Sequence, residues 1–441
     1  MHNLALRLLL IFVVAAVSGC QTHAVRLRDA REAFHAGDLV RAAQLLDDET
    51  YRERERDCVL LDEAIVELVA GRPAEAEQQL RYVRDRFDHL QQQNLAESGV
   101  SLLTDDTTRA YGGEDYEQVL IRAVLAISNL MHDGGDANAY CLQLDEKQRQ
   151  IIEGGLLGAE GNPKLAYKQV ALGAYLHGTL AEQTHLNYDD AQRSFARVVS
   201  WQPAFTAGRI DLQRATRGVH SAPGNGVVYV LALVGRGPYK EEVVAEATTS
   251  ALLVADRILT AVGDHSLPPT IAPVKIPQIV VPRNRIDAVQ VLVDQRPRGV
   301  TQTVTDVGQL AVGQFQAVRD HLIGRAVVRR IVKKAAIYST KDALNIDNSL
   351  ASFALNAAGV VWEATESADT RCWGLLPEKI QVLRVELPAG SCVLQLRPLA
   401  AGRTFGAAAD CTLEVVDGRN TYVLACFPDD RLVGQILTSQ H

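Results

Sequence analysis

The residue whose chemistry is best defined by its neighbours is Cys20, which follows an uncharged apolar run from Leu8 to Val17. That run is shorter than the roughly 20 residues a membrane-spanning helix needs, and its length is typical of an export signal. The small residues Ser18 and Gly19 let the backbone enter a peptidase cleft, after which the sulfur of Cys20 can accept a diacylglyceryl group. The spacing therefore predicts a signal peptide over residues 1–19 and lipidation at Cys20.

The sequence Val17-Ser18-Gly19-Cys20 resembles the lipobox of bacterial lipoproteins. The resemblance implies that Cys20 becomes the N-terminus and carries several acyl chains, which anchor a protein stably where one chain is marginal. Gln21 stands where an Asp often retains such proteins at the inner membrane, so the resemblance implies the outer membrane, periplasmic face. Exposure at the cell surface stays open. A cleaved signal with a chance cysteine and a short membrane anchor are the alternatives.

The sequence carries no familiar catalytic motif beside the predicted lipidation site. The chain has no GxSxG, HExxH, Walker or kinase motif, and its 11 histidines are scattered. A lone GxG at Gly235 is followed by Pro238 and Tyr239, which argues against a nucleotide loop. We therefore expect a non-enzymatic protein without catalytic residues or cofactor. The alternative is an envelope hydrolase or glycan-binding protein whose site is assembled from distant residues of the second half.

Composition and cysteine spacing exclude further classes. A net charge of −8 argues against broad nucleic-acid binding, which needs a basic surface. Six of the 7 cysteines remain after Cys20, none in a CxxC or similar spacing, so we expect no metal. An oxidising compartment permits disulfides. Paired and free thiols both stay open, and the connectivity is undetermined, for Cys58, Cys141, Cys372, Cys392, Cys411 and Cys426.

The first half repeats with a period of 34 residues, since Gly37 matches Gly71 and Ala42 matches Ala76. This is the period of the tetratricopeptide repeat. The glycine ends one helix in a left-handed turn, and the small alanine lets a second helix pack closely against the first. Weaker copies include a helix from Leu165 to Leu176. The pattern predicts four or five helical hairpins in a tetratricopeptide-like solenoid spanning residues 20–220.

Solenoids of this kind present a concave surface to a peptide or protein partner. We therefore expect a protein partner to bind the repeats of this chain. The alternative is that the array is only a stalk or a packing platform for the other domains.

The second half predicts a mixed strand and helix domain over residues 221–365. Its β-branched run from Val227 to Val234 is typical of a buried strand. Prolines between 266 and 285 indicate an extended edge or linker, because proline cannot donate to a sheet. Alternation predicts a strand from Ile286 to Asp294. Helices are predicted from Thr303 to Ala336 and over residues 347–362.

The predicted helix after Thr303 carries a basic stripe whose members recur at four-residue spacing. Such a stripe could lie on anionic lipid or meet an acidic partner. The alternative is an ordinary solvated helix face. The stripe comprises Arg325, Arg329, Arg330, Lys333 and Lys334.

The C-terminal residues 366–441 predict a small β-sandwich. Four strands are indicated by alternation, and Pro388-Ala389-Gly390 and Asp417-Gly418 are turns by their chemistry. These turns and the Tyr-containing strand that follows Asp417-Gly418 are similar to PEGA-type β domains, small modules without known catalysis. The predicted strands are Ile380 to Leu387, Cys392 to Leu396, Cys411 to Val416 and Tyr422 to Phe427.

Taken together, the chain resembles a family of uncharacterised bacterial lipoproteins with tetratricopeptide-like helices and a C-terminal β module. The resemblance implies an α+β multidomain scaffold in cell-wall or envelope assembly, joined to the membrane by its lipid and to an envelope protein partner. The partner's identity, a small-molecule ligand, the oligomeric state and the biological process stay open. The motifs that carry the resemblance are Tyr111-Gly112-Gly113-Glu114-Asp115-Tyr116-Glu117, Gln143-Leu144-Asp145-Glu146-Lys147-Gln148, Arg325 to Lys334, and Thr370-Arg371-Cys372-Trp373-Gly374-Leu375-Leu376-Pro377.

Overall fold

A computed structural model of the chain describes residues 23–47, 51–96, 110–155, 162–262, 267, 273–343 and 367–439. Within these ranges, no helix combines the length and the apolar character that crossing a bilayer requires. The described helices are α1 (His23–His35), α2 (Leu39–Leu45), α3 (Glu53–Val69), α4 (Pro73–Ala96), α5 (Asp115–Leu130), α6 (Ala137–Gly154), α7 (Ala171–Gln183), α8 (Tyr188–Trp201), α9 (Ala207–Thr216), α10 (Thr249–Val262) and α11 (Val307–Ala343).

Helices α1 to α9 form the helical array, in which each helix packs against its sequence neighbours. Helix α5 lies inside the array, since all its residues from Tyr116 to Leu130 are buried. The prediction of a helical first half is therefore confirmed. The predicted helix at Leu165 is wrong in its first turns, because Pro163–Ala166 forms a short 3-10 turn and α7 begins only at Ala171.

The strands of the described ranges form two five-stranded sheets and one two-stranded sheet. The first sheet has the order β12-β11-β1-β7-β6, with β1 parallel to β11. The second has the order β10-β8-β4-β5, with β9 paired to β8, and the third joins β2 to β3. Their bounds are β1 (Asn225–Val234), β2 (Tyr239–Ala245), β3 (Val274–Val280), β4 (Ala288–Val293), β5 (Arg296–Val300), β6 (Gln302–Asp306), β7 (Lys379–Pro388), β8 (Gly390–Ala400), β9 (Arg403–Thr404), β10 (Ala409–Val415), β11 (Asn420–Phe427) and β12 (Val433–Thr438).

The first sheet is the middle layer of the molecule, because its two faces enter different cores. Tyr229 and Leu231 of β1 point into the core shared with the helical array. Val228 and Val230 point the other way, into the core shared with the second sheet. The fold is thus a mixed α/β arrangement of helices, a first sheet and a second sheet, and β1 is buried from Gly226 to Val234 because both of its faces are covered.

The predicted domain boundary at residue 366 does not separate two units of the fold. Strand β1, from the predicted middle domain, lies between β7 and β11, from the predicted C-terminal domain. Strand β4 pairs with β8 in the same way. All four predicted C-terminal strands exist, as β7, β8, β10 and β11. Alternation identified the strands, but it carries no information about which strand pairs with which.

The middle of the chain also differs from its prediction. Residues Thr303 to Asp306 belong to strand β6, which pairs with β7, so helix α11 begins four residues later than predicted, at Val307. In the proline-rich stretch, Val274–Val280 pairs with β2, opposite Glu242 at Pro277. This hairpin packs with α10 and α11 around a third core. The predicted helix at 347–362 lies outside the described residues.

Candidate functional site

Helices α1 and α3 end at Gly37 and Gly71, which adopt φ of 85° and 90°. The amide of Arg72 donates to the carbonyl of Glu67, the bond that closes the end of a helix over a left-handed residue. Ala42 and Ala76 are fully buried in the helices that follow. Cys20, the predicted lipidation site, lies outside the described residues.

The described part of the predicted basic stripe does not form a single open face. Arg329 is buried, with 7% of its surface exposed, and Arg325 is half-buried. The guanidinium of Arg330 donates to the carbonyl of Pro273 at 2.6 Å. The side chains of Lys333 and Lys334 lie outside the described residues. The described arginines thus lie where α11 packs on its neighbours.

Buried polar and charged side chains surround residues 367–378, which we call the strap. The strap leads into β7, and its residues 370–377 are all buried. It contacts residues from the first helix of each of three successive helical pairs, α1, α3 and α5. Two motifs about 250 residues apart in the sequence, one starting at Tyr111 and the other at Thr370, meet here. Neither their composition nor their spacing predicts this contact.

Asp62 of α3 fastens the middle of the strap. Its Oδ1 accepts a hydrogen bond from the amide of Leu375 at 2.8 Å, and its carboxylate also accepts from the amide of Gly374. Burial raises the pKa of the Asp62 carboxyl to about 6, while the nearby guanidinium of Arg31 opposes the shift. A Cβ at Gly374 would overlap that guanidinium, so the glycine lets the strap pass Arg31.

Glu117 of α5 holds the strap one step earlier. Its Oε1 accepts from the amide of Trp373 at 2.8 Å, and its other oxygen accepts from the amide of Glu114 at 3.0 Å. The hydroxyls of Tyr111 and Tyr116 also donate to this carboxylate. Burial raises the pKa of Glu117, and the ammonium of Lys240 opposes the shift. The Trp373 side chain is fully buried beside these groups.

Further charged side chains hold the first residues of the strap through hydrogen bonds and ion pairs. The guanidinium of Arg371 donates twice to the carboxylate of Asp369, at 2.8 and 2.7 Å, and once to the carbonyl of Arg54, at 2.9 Å. It lies 5.2 Å from the centre of the Tyr111 ring. Lys240 of β2 is buried and forms an ion pair with Glu114. The charges of the strap are therefore neutralised by partners inside the fold.

The GxG after β1 has a structural role at the other end of the strap. The amide of Gly237 donates to the carbonyl of Leu376 at 2.9 Å. A Cβ at Gly237 would lie 2.2 Å from that oxygen, so only glycine permits the approach. The positive φ of Gly235, 75°, turns the chain away from the sheet at this point. The two glycines form a turn against the strap.

A second buried ion cluster joins α7 to α9. The guanidinium of Arg214 donates to both oxygens of Glu182, at 2.8 and 2.7 Å, and to Asp211 at 2.5 Å. Burial raises the pKa of both carboxyls, while Arg214 opposes the shift. The two carboxylates therefore converge on one guanidinium inside the array and are not free to act on an external substrate.

The surface carries a cleft of about 550 Å³ where α11 begins. The array, the first sheet and α11 all contribute to its walls, among them Lys168, Asp306, Gln309 and Glu378. A smaller cleft of about 330 Å³ continues along α11 beside the β2–β3 hairpin. Neither is lined by Asp62, Glu117 or Arg214. Among the described residues, no group of three or more His, Cys, Asp and Glu could hold a metal ion.

Sequence reasoning had isolated the strap motif and the Tyr111 motif but assigned neither a contact. Asp62 was missed and Glu117 was named only as the end of the Tyr111 motif, although the residues three and four positions after each carboxylate, Ile65 and Val66 or Leu120 and Ile121, are apolar. A charge in such a place needs a buried partner, and this signal could have marked both residues.

Comparison of the chain with protein-family models, with curated proteins and with solved structures finds no match. The function therefore has to be argued from the contacts just described.

Proposed function

We propose that this chain is a non-enzymatic, lipid-anchored scaffold of the outer membrane that binds an envelope protein partner through its helical array. In this proposal the nine helices of the array form tetratricopeptide-like hairpins, and Cys20 carries the lipid. The carrying observation is the strap. The first helices of two successive pairs, α3 and α5, bind this segment through its backbone amides, and Arg31 of α1 contacts the side chain of Cys372, as repeat arrays bind a partner peptide.

The electrostatics favour a scaffold over an enzyme. Strongly shifted pKa values often mark catalytic sites. Here the groups whose pKa burial raises, Asp62 and Glu117, are shut away from solvent and accept hydrogen bonds from the chain's own backbone. Such carboxylates position a segment of the protein and have no access to a substrate.

Because the strap contacts α1, α3 and α5, the first helices of the pairs, we assign the partner to the second helices, α2, α4 and α6. Val40 of α2, Tyr82 of α4 and Leu142 of α6 each lie on such a helix, with 71, 52 and 49% of their surface exposed. Apolar side chains held open to water on a repeat face suit a protein partner.

The test is affinity purification of the C-terminally tagged chain from detergent-solubilised envelopes. We expect a reproducible partner that is lost in the triple variant V40S/Y82S/L142S. The matched control is V300S/V393S, which removes two exposed valines from the second sheet. This variant should capture the partner as well as the wild-type chain does. No reproducible partner, or a partner retained by the triple variant, would contradict the proposal.

The anchor has its own test. A Cys20→Ala variant should incorporate no radiolabelled palmitate and should leave the membrane fraction. The control Cys141→Ala should still incorporate palmitate and stay in the membrane fraction. Palmitate entering the Cys20→Ala variant would show that the anchor assignment is wrong.

A second candidate is glycan binding at the larger cleft. Its lining includes amides and opposite charges, among them Glu378 and Lys168, whose Nζ donates to Oε1 of Gln309 at 3.1 Å, and these groups offer donors and acceptors for sugar hydroxyls. Co-sedimentation with purified peptidoglycan tests it. Binding that is lost in Q309A and kept in V40S/Y82S/L142S would favour this candidate over the scaffold.

A further inference from the structure

Two buried cysteines meet where the strap crosses α3. The thiol of Cys58 donates to the carbonyl of Cys372 at 3.0 Å, and both side chains are fully buried. They are 314 positions apart in the sequence. We propose that Cys58 and Cys372 are a disulfide-forming pair, and that their oxidation covalently fastens the strap to the helical array.

The contact places the Cys58 thiol against the backbone carbonyl of Cys372. The guanidinium of Arg31 lies 3.6 Å from the Cys372 sulfur. A positive charge there favours the thiolate, which is the form that attacks a disulfide. Burial of Cys372 opposes this effect, so we expect the reaction while the strap is still closing over α3.

The other neighbouring pair in the described chain has unsuitable geometry. Cys392 of β8 stands opposite Leu413, and Cys411 of β10 stands opposite Leu394, so the two cysteines are diagonal neighbours. Diagonal residues in antiparallel strands have Cα atoms about 7–8 Å apart. A disulfide requires Cα atoms roughly 4.4–6.8 Å apart. Oxidation should therefore select Cys58 and Cys372.

The reaction is a thiol–disulfide exchange with a disulfide-bearing oxidant, either oxidised glutathione or the disulfide of an oxidoreductase. One thiolate attacks the oxidant and forms a mixed disulfide, releasing the first thiol of the oxidant. The second cysteine of the pair then attacks this mixed disulfide and releases the remaining thiol. One S–S bond forms between Cys58 and Cys372, two protons leave, and the oxidant gains two electrons. The supply of this oxidant in the cell rests on the proposed envelope location, whereas the pairing does not.

The pairing is tested on the full chain refolded with oxidised glutathione, then alkylated in denaturant and digested with trypsin. Cleavage after Arg56 and Arg371 releases the peptides 57–81 and 372–379, since the Arg72–Pro73 bond resists trypsin. We expect these two peptides to form the dominant cross-linked species. The species should vanish in Cys372→Ser and persist in Cys411→Ser. Full alkylation of Cys58 and Cys372, or a different dominant pair, would overturn the proposal.

A second measurement guards against variants that fail to fold. Dithiothreitol should lower the thermal unfolding midpoint of the oxidised wild-type chain and leave that of Cys372→Ser unchanged. An unchanged wild-type midpoint would contradict the proposed fastening.

The cellular arm uses intact cells quenched with N-ethylmaleimide. Pairing in the refolded chain together with free thiols in cells would contradict the envelope location alone and leave the pairing supported.

Discussion

The strap junction and the core between the two larger sheets, here called the sandwich core, are both buried, but they are held together in opposite ways. The core between the two larger sheets is built from apolar side chains such as Val230, Leu396 and Phe427. At the strap junction, by contrast, carboxylates and guanidinium groups surround the strap, and Asp62 and Glu117 accept hydrogen bonds from its backbone amides. Apolar burial depends little on which partner is present, whereas a buried charge depends on one particular partner. The junction therefore fixes how the array and the sheets are joined.

The strongest test of this contrast is Asp62→Ala. The change leaves the amide of Leu375 without its acceptor and the guanidinium of Arg31 without a nearby carboxylate. Leaving a buried donor without its acceptor costs about 1–3 kcal/mol, and the amides of Gly374 and Leu375 both lose theirs, so we expect the free energy of unfolding to fall by about 2–6 kcal/mol. Urea unfolding followed by far-ultraviolet circular dichroism at pH 7.5 measures it.

The matched control is Asp190→Ala, which removes an exposed ion pair with Arg193. It should lower the free energy of unfolding by less than about 1 kcal/mol. Equal effects of the two variants would mean that charge does not hold the junction.

The second test is the pH dependence of stability. Burial raises the pKa of Asp62 from its ordinary 3.8 to about 6, so the folded chain keeps this proton at pH values where the unfolded chain has lost it. The free energy of unfolding should therefore fall as the pH rises from about 4 to about 6, by up to about 3 kcal/mol for this group. Urea unfolding at a series of pH values measures the fall, with Asp62→Asn as the reference.

The D62N variant has no carboxyl to titrate, yet its amide oxygen can still accept from Leu375. Its stability should lack this part of the pH dependence. Parallel curves for the wild type and the variant would show that Asp62 is not the titrating group.

This contrast also explains which parts of the fold could be predicted. The helical first half, the turn at Gly71 and the strands around Val230 and Tyr422 follow from local periodicity and glycine chemistry. Strand pairing does not, which is why β1 was assigned to a different domain from β7 and β11. The contact of Glu117 with Trp373 joins residues 256 positions apart, and no local pattern encodes it. The sequence could show that a buried carboxylate such as Glu117 needs a partner, but it could not show which residue that partner is.

The sandwich core provides the third test, through Val230→Ala. Val230 is fully buried, and the change removes about two methylene equivalents, which corresponds to a loss of about 2 kcal/mol in the free energy of unfolding. Urea unfolding between pH 4 and 8 should give the same loss at every pH, because no charge is involved. The control Val300→Ala, at an exposed edge, should change stability by less than about 0.5 kcal/mol. A loss at Val230 that varies with pH would break the contrast between the two regions.

The smallest expected effect is the difference in stability loss between alanine substitutions at two equivalent turns, only one of which also contacts a distant strand. Alanine at Gly37 or Gly71 must adopt a positive φ, which costs about 1–2 kcal/mol. A Cβ at Gly37 meets open space, but at Gly71 it would lie 3.1 Å from Oε1 of Gln435, whose amide donates to the carbonyl of Ala70. Gly71→Ala should therefore lower the free energy of unfolding more than Gly37→Ala does. In a Gln435→Ala background the two losses should become equal, because only the local strain remains. If the difference remains in the Gln435→Ala background, the contact with β12 is not its cause, and the two turns differ for a local reason.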